Sequence, residues 1–307
     1  MGRFYFTGLI FSTVSAMMST SAFGWGETGH KIINASAAQL MESPAAAFFQ
    51  ANAANLQLLA TTPDLQWKKT ATYKDEAPMH FFQWDNYSTS SMGQSLDQYV
   101  YSQVVSGLGA SYVNTNGSSV WRVDQLYVMM VNALKSGDNV KALQMAGVLG
   151  HYVGDLSQPM HDTADYDGQS IGRRGIHMYF ETTLVGTEDP SSLTTEVVNA
   201  GGPIRQTLDS TYANSPETSD QLVRTIVMQE GIEAYGQLSN VLSDFSASSQ
   251  DDAALKQFFG PRMGAGAANL SKIWDAAVVE SGVQSFPAAS INVSEPKWFA
   301  LQDPSKS

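Results

Sequence analysis

Two stretches of the chain carry a histidine and a carboxylate four residues apart: His151 with Asp155, and His177 with Glu181. On an α-helix that spacing sets both side chains on one face, about a turn apart, so each pair can reach a common cation. His161 follows the first pair in the run Gln158-Pro159-Met160-His161. Pro159 cannot continue a helix, so the chain turns there and swings His161 back toward the pair. Three of the five histidines thus fall between 151 and 177. Cysteine is absent, which leaves nitrogen and oxygen donors alone, the set that a hydrolytic zinc site uses.

The other two histidines are His30, in Trp25-Gly26-Glu27-Thr28-Gly29-His30, and His80, in Pro78-Met79-His80. A further carboxylate is needed near them. Asp64, in Thr62-Pro63-Asp64, is one candidate, and Asp75 and Glu76 stand closer to His80 in sequence. Residues 1–24 have the pattern of a secretory leader: Arg3 at the start, an apolar run from Phe4 to Met18, and a small-residue cleavage site at Ala22-Phe23-Gly24. Thr7, Gly8, Ser12, Thr13 and Ser15 interrupt the run, which argues against a permanent membrane span. Cleavage there would export the protein, to the periplasm or the medium, with Trp25 first. Its freed α-amino group and carbonyl can chelate a metal together, with His30 completing the contact.

These donors need a scaffold. With 307 residues, 43% hydrophobic and 15% charged, the chain is long enough for one large domain with an ample core. The formal charge is −12; without the leader, 16 basic side chains face 29 acidic ones. So acidic a surface repels polyanions and weighs against nucleic acid as a substrate. Apolar spacing of the helical type predicts helices from Ile32 to Met41, and over 45–60, 96–105, 120–134 and 140–156. Residues 107–119 read as a loop. Asp138 is a plausible N-cap for the helix over 140–156, which carries Gly147, Gly150 and Gly154 in its interior. Each glycine costs that helix about 1 kcal/mol relative to alanine, which close approach of a neighbour near His151 would offset. Farther on, helices are expected over 177–184, 219–245 and 267–280, with a break at Gly201-Gly202 and an irregular tail from Val283 that contains Pro287, Pro296 and Pro304. The fold class is all-α. The domain plan is a leader (1–24), a single catalytic domain (25–282) and a C-terminal extension (283–307) packed on that domain or at its rim.

In this order the residues resemble a known superfamily, the trinuclear-zinc phospholipases C and the related zinc-dependent single-strand nucleases. Both groups begin with a zinc-ligating tryptophan. They continue with His, Asp, His, a His-x-x-x-Asp helix, a further His and a final His-x-x-x-carboxylate pair. Trp25, His30, Asp64, His80, His151, Asp155, His161, His177 and Glu181 fill the nine positions. The run from His151 to His161 and the closing Glu181 look most like bacterial phosphatidylcholine-type phospholipase C. The nucleases usually close on Asp, after a Gly-Gly-Asn element that the loop 167–176 lacks. The five-residue step from Trp25 to His30, and Lys68 four residues past Asp64, look more like the nucleases. The aromatic choline pocket of the phospholipases does not carry over, because Leu65 and Ala77 stand where aromatic residues are expected. Glu27, Tyr73, Trp84 and Tyr152 are alternative members of a headgroup cage.

The resemblance implies three zinc ions per chain. One would take Asp64, His80, His151 and Asp155. The second would take the Trp25 amine and carbonyl, His30 and the other oxygen of Asp155, and the third His161, His177 and Glu181. It implies Asp64 as the catalytic residue that orients the attacking water, and it suggests that Arg173 and Arg174 steer the phosphate. The implied substrate is a phospholipid, met transiently at a membrane surface and cleaved to diacylglycerol and a phosphorylated headgroup. Nucleic acid is the substrate under the alternative, a single-strand nuclease or 3′-nucleotidase. No obligate protein partner is indicated.

Overall fold

A computed structural model describes residues 24–69, 73–215, 219–245 and 250–303. Residues 1–23, most of the expected leader over 1–24, and residues 304–307 lie outside the described residues. Among the described residues there are helices and no strand, so the all-α expectation holds.

The central element is the helix Asn139–Leu156, buried along nearly its whole length. Asp138 caps it by accepting a hydrogen bond from the Lys141 amide at 3.0 Å. Around it pack the helices Gly26–Leu40, Ala53–Leu59, Ser119–Lys135, Ser219–Tyr235 and Phe259–Ser281. From Met145 to Leu156 this helix is buried on every side, and its residues there are apolar or small except for His151, Asp155 and the Tyr152 hydroxyl.

The glycines of this helix have side-chain neighbours rather than backbone ones. A methyl at Gly147 would overlap Leu59 Cβ, one at Gly150 would overlap the Asn34 side-chain oxygen, and one at Gly154 would lie 2.8 Å from His30 Nδ1. The N-terminal helix Gly26–Leu40 therefore lies against a groove cut by missing side chains. Asn34 is fixed in it, donating to the carbonyls of Leu56 and Gly147 at 2.9 Å each. That close approach brings the His30 and His151 rings into a stack with centroids 4.0 Å apart.

Several sequence expectations are corrected. The helix over 45–60 is two, Ala46–Ala51 and Ala53–Leu59, parted at Asn52. The expected helix over 96–105 is a 3-10 segment, Gly93–Gln98, followed by the helix Tyr101–Leu108. The stretch read as a loop over 107–119 contains the helix Ala110–Asn116 between two positive-φ glycines, Gly109 and Gly117. Gly201-Gly202 do not break a helix. They lie inside Pro190–Thr211, where a methyl at Gly201 would sit 2.9 Å from the Gly264 carbonyl, so that helix can lie directly on Phe259–Ser281. The helix over 219–245 divides into Ser219–Tyr235 and Leu238–Asp244. The last helix begins earlier than its apolar pattern suggested, at Phe259.

If Asn34 and Gly150 are mutually fitted, Gly150→Ala should destabilise the protein by about 1–3 kcal/mol despite its better helix propensity. Denaturant unfolding with an unchanged m-value would measure this; a stabilised variant would mean that the helices separate freely at this point.

Candidate metal centre

The central helix supplies His151 and Asp155 from adjacent turns of its inner face, and the neighbouring elements bring the remaining donors to them. His30 comes from the N-terminal helix, and Asp64 from the single π-helical turn Pro63–Trp67. His80 ends the 3-10 turn Ala77–His80, and His161 ends the 3-10 turn Pro159–His161 that Pro159 begins. His177 and Glu181 lie on the short helix Ile176–Met178 and the π-helical segment that continues it, Tyr179–Leu184. All of these side chains are buried.

Three groups of donors converge: His30, Asp64 and His151; His80, His151 and Asp155; and His161, His177 and Glu181. Within each group the donor atoms lie within 4.8 Å of one another. Asp155 joins the first two groups. Its Oδ1 is 3.4 Å from His30 Nε2, while its Oδ2 is 3.0 Å from His80 Nδ1 and 3.3 Å from His151 Nε2. In the third group Glu181 Oε2 is 2.7 Å from His177 Nε2 and 3.6 Å from His161 Nε2.

The outer contacts orient the rings. His151 Nδ1 faces the Ala60 carbonyl at 2.8 Å, and His161 Nδ1 faces the His80 carbonyl at 2.6 Å. A carbonyl can only accept, so each of these nitrogens carries the ring proton and the Nε2 lone pair points inward. His80 is turned the other way: its Nε2 faces Glu76 Oε1 at 3.1 Å and its Nδ1 points inward. Glu76, in sequence a rival to Asp64 for the metal, thus stands behind His80. Asp64 is the inward carboxylate, 3.7 Å from His80 and 3.8 Å from His151, and the Lys68 ammonium pairs with it at 2.8 Å. Asp75 is exposed and takes no part in the three groups. Gln158 escaped notice in the sequence; it donates to Glu181 Oε2 at 3.1 Å. Its place between Asp155 and His161 was the available signal.

Burial and charge set the ionisation of these groups. Burial pushes the His151 imidazole down to about 3 and that of His177 to about 4, so both are neutral and ready to ligate. Burial pushes the Glu181 carboxyl up to about 8. For Asp64 burial acts upward too, but Lys68, His151 and His80 outweigh it and hold the carboxyl at about 2. Asp155 is also held well below the usual range against its burial, chiefly by His151 and His161.

The residues fit a metal. His30 Nε2, Asp155 Oδ1, His161 Nε2 and His177 Nε2 are buried without a hydrogen-bond partner, a costly condition that a cation relieves. The nitrogen and oxygen donor set suits zinc. Trp25 is fully buried, and its carbonyl accepts from the Gly29 amide at 3.1 Å. Its indole donates to Ser157 Oγ at 2.7 Å, and its ring packs on Phe180 and Phe259. Gly24, the residue before it, lies against the donors: a methyl there would overlap Asp155 Oδ1 and lie 2.6 Å from His30 Nε2.

Other expected roles are changed by position. Tyr152 is fully buried and donates to Glu76 Oε1 at 2.5 Å, so it cannot face a headgroup, and Trp84 stacks on Phe82. Arg173 donates to the Phe245 carbonyl at 2.7 Å, whereas Arg174 is exposed. Glu27 lines the mouth of the cleft above His30 and Asp64.

A family model described as S1/P1 Nuclease matches residues 25–183. Among solved structures, the alpha toxin from Clostridium absonum has a TM-score of 0.56 at 15% identity, over 85% of this chain and 67% of the toxin. The Clostridium perfringens alpha-toxin from avian strain SWCP has a TM-score of 0.57 at 13% identity, over 84% of this chain and 65% of the toxin. The chain thus spans about two thirds of the length of each toxin, and the likeness is one of fold. No curated protein sequence matches.

His151→Ala and Asp155→Ala should each lose bound metal and lower the unfolding temperature, because donors and fold stabilise one another; elemental analysis with thermal unfolding would check both, and wild-type metal content in either variant would remove the helix pair from the centre. A protein purified with Gly24 still attached should hold less metal than one beginning at Trp25. Equal metal content, with both N-termini verified by mass spectrometry, would exclude the Trp25 amine as a ligand.

Proposed function

Because the chain belongs to the S1/P1 nuclease family, a family of phosphodiester hydrolases, we propose that it is an exported, zinc-dependent phosphodiesterase whose substrate is a phospholipid. It is a phospholipase C that releases diacylglycerol and a phosphorylated headgroup, with phosphatidylcholine as the first substrate to test. Three zinc ions are held by the Trp25 terminus, His30, Asp64, His80, His151, Asp155, His161, His177 and Glu181. Zinc supplies the Lewis acidity that lowers the pKa of water and neutralises charge developing on the phosphate. Asp64, facing the first two donor groups, accepts a hydrogen bond from the attacking water and orients it. Lys68 keeps that carboxylate ionised, and Gln158 keeps Glu181 turned inward toward His161 and His177.

The observation that carries the choice of substrate is the mouth of the cleft. A space of about 170 Å³ opens over His30 and Asp64, lined otherwise by Gly26, Glu27, Thr61, Leu65 and Thr182, and its exposed lining is almost wholly apolar. Among the described residues no lysine or arginine lines it, and its one exposed charged group, Glu27, is paired with Lys31 at 2.5 Å. Tracking a polynucleotide backbone calls for lysines and arginines at this place. A single phosphodiester beneath an acyl glycerol does not. Tyr166, exposed and with its ring 6.2 Å from that of His177, adds apolar surface near the third donor group. No helix among the described residues is long and apolar enough to cross a membrane, which suits an enzyme that meets lipid at a surface.

A second reading, a single-strand nuclease, is favoured by the family match itself and by Lys68, the cation paired with Asp64.

Phosphorylcholine release from phosphatidylcholine and cleavage of single-stranded DNA and RNA should be followed on the same mature, zinc-verified protein. Lipid turnover alone is expected, abolished by a chelator and restored by zinc. Cleavage of nucleic acid alone, with activity falling steeply as salt rises, would overturn the phospholipase reading in favour of the nuclease.

A further inference from the structure

The segment 283–303 forms no helix or strand, yet it is tied down along its length. Asn55 donates to the Ile291 carbonyl at 2.9 Å, Gln144 to that of Ser294 at 2.7 Å and Trp67 to that of Pro296 at 3.1 Å. Gln125 donates to the Ala300 carbonyl at 3.0 Å, and Asp303 accepts from the Ser102 amide at 2.8 Å. The strap therefore crosses the outside of the elements that carry Asp64, His80 and His151. At its middle Trp298 turns inward, and its indole N–H donates to Glu76 Oε2 at 2.8 Å. Glu76 is fully buried, and its other oxygen accepts from Tyr152 and faces His80 Nε2. Arg122 stands 3.9 Å from Oε2 beneath the ring of Phe299, which covers the guanidinium at 4.4 Å.

We propose that this strap is a working part of the metal centre: Trp298 is a positioning residue that, through Glu76, holds His80 with Nδ1 turned toward Asp155 and His151. A ring behind a buried carboxylate has a defined tautomer only while that carboxylate keeps its own position. Tyr152 constrains one oxygen, and Trp298 is the short hydrogen bond on the other. Without the indole N–H, the Arg122 contact at 3.9 Å, beyond hydrogen-bond range, is what Oε2 keeps among the described residues. Glu76 can then rotate, and His80 loses the partner that selects its inward nitrogen. Trp298 lies more than a hundred residues beyond the part of the chain that the family model matches. The inference rests on the zinc-site reading above, because it concerns how one of that site's donors is aimed.

The test uses the full mature chain with three variants: Trp298→Phe, which removes the N–H; Val293→Ala, which loosens the buried anchor of the strap away from Glu76 and Arg122; and Glu76→Gln. Zinc affinity is read by competition with a chromophoric chelator, and the ligand field by the visible spectrum of the cobalt-substituted protein. Glu76→Gln should weaken the zinc that His80 binds by about 10–100-fold. Trp298→Phe should weaken it by about threefold or more, with an altered cobalt spectrum. Val293→Ala should lower thermal stability of the metal-free protein while leaving affinity and spectrum as in the wild type. Wild-type affinity and spectrum in Trp298→Phe would overturn the proposal, as would an equal loss in Val293→Ala, which would reduce the strap to packing. Failure of the wild-type chain to bind zinc would overturn this proposal and the zinc reading together.

Discussion

The structure depends on how it buries charge. Asp64, Glu76, Asp155 and Glu181 are carboxylates removed from water in a helical core, together with five imidazoles. Each isolated buried ion costs several kcal/mol, so such a cluster persists only where partners surround it. The partners form two layers. Inside, the donors face one another across a space suited to cations. Outside, the Ala60 and His80 carbonyls hold the His151 and His161 rings by their far nitrogens, Lys68 and Gln158 bond the Asp64 and Glu181 carboxylates, and Tyr152 and Trp298 hold Glu76 behind His80. The surrounding aromatic rings exclude water, which strengthens every electrostatic interaction within.

A second buried pair extends this support into the part of the chain beyond the family match. The Arg262 guanidinium bonds Glu230 Oε1 at 2.5 Å and the Ser157 carbonyl at 3.1 Å. Asn269 donates to the other oxygen of Glu230. Ser157 also receives the indole of Trp25. The helices Ser219–Tyr235 and Phe259–Ser281 therefore brace both the end of the central helix and the residue expected at the mature N-terminus. With the C-terminal strap, they show that the later part of the chain is joined to the centre physically, although it carries none of the expected donors.

Close packing has its own cost. Three interior glycines weaken the intrinsic propensity of the central helix, and Gly201 does the same for Pro190–Thr211. In each case a side chain or carbonyl of a neighbouring helix stands where a methyl group would be. The closer approach of the N-terminal helix places His30 over His151, within reach of Asp155. A metal centre assembled from separate helices tolerates little error in their separation, because ligand bonds extend only to about 2.0–2.3 Å.

Much of the centre was legible in the sequence because its informative part is local. The His-x-x-x-carboxylate spacing, Pro159 before His161 and the absence of cysteine follow from helix geometry and donor chemistry, and the helical periods determine the all-α class. What sequence left open concerns contacts between distant segments. Among Asp64, Asp75 and Glu76, only the packing of the turn Pro63–Trp67 beside the central helix decides which carboxylate faces inward. The meaning of the glycines was equally hidden: Gly201-Gly202 resemble a break, yet they are the contact surface of a continuous helix. The role of Trp298 was hidden as well, because it exists only once an irregular tail has folded across the back of His80. Local periodicity decides which faces a chain offers. Which atoms meet across those faces depends on long-range packing, where a single missing methyl group or one buried hydrogen bond changes the outcome.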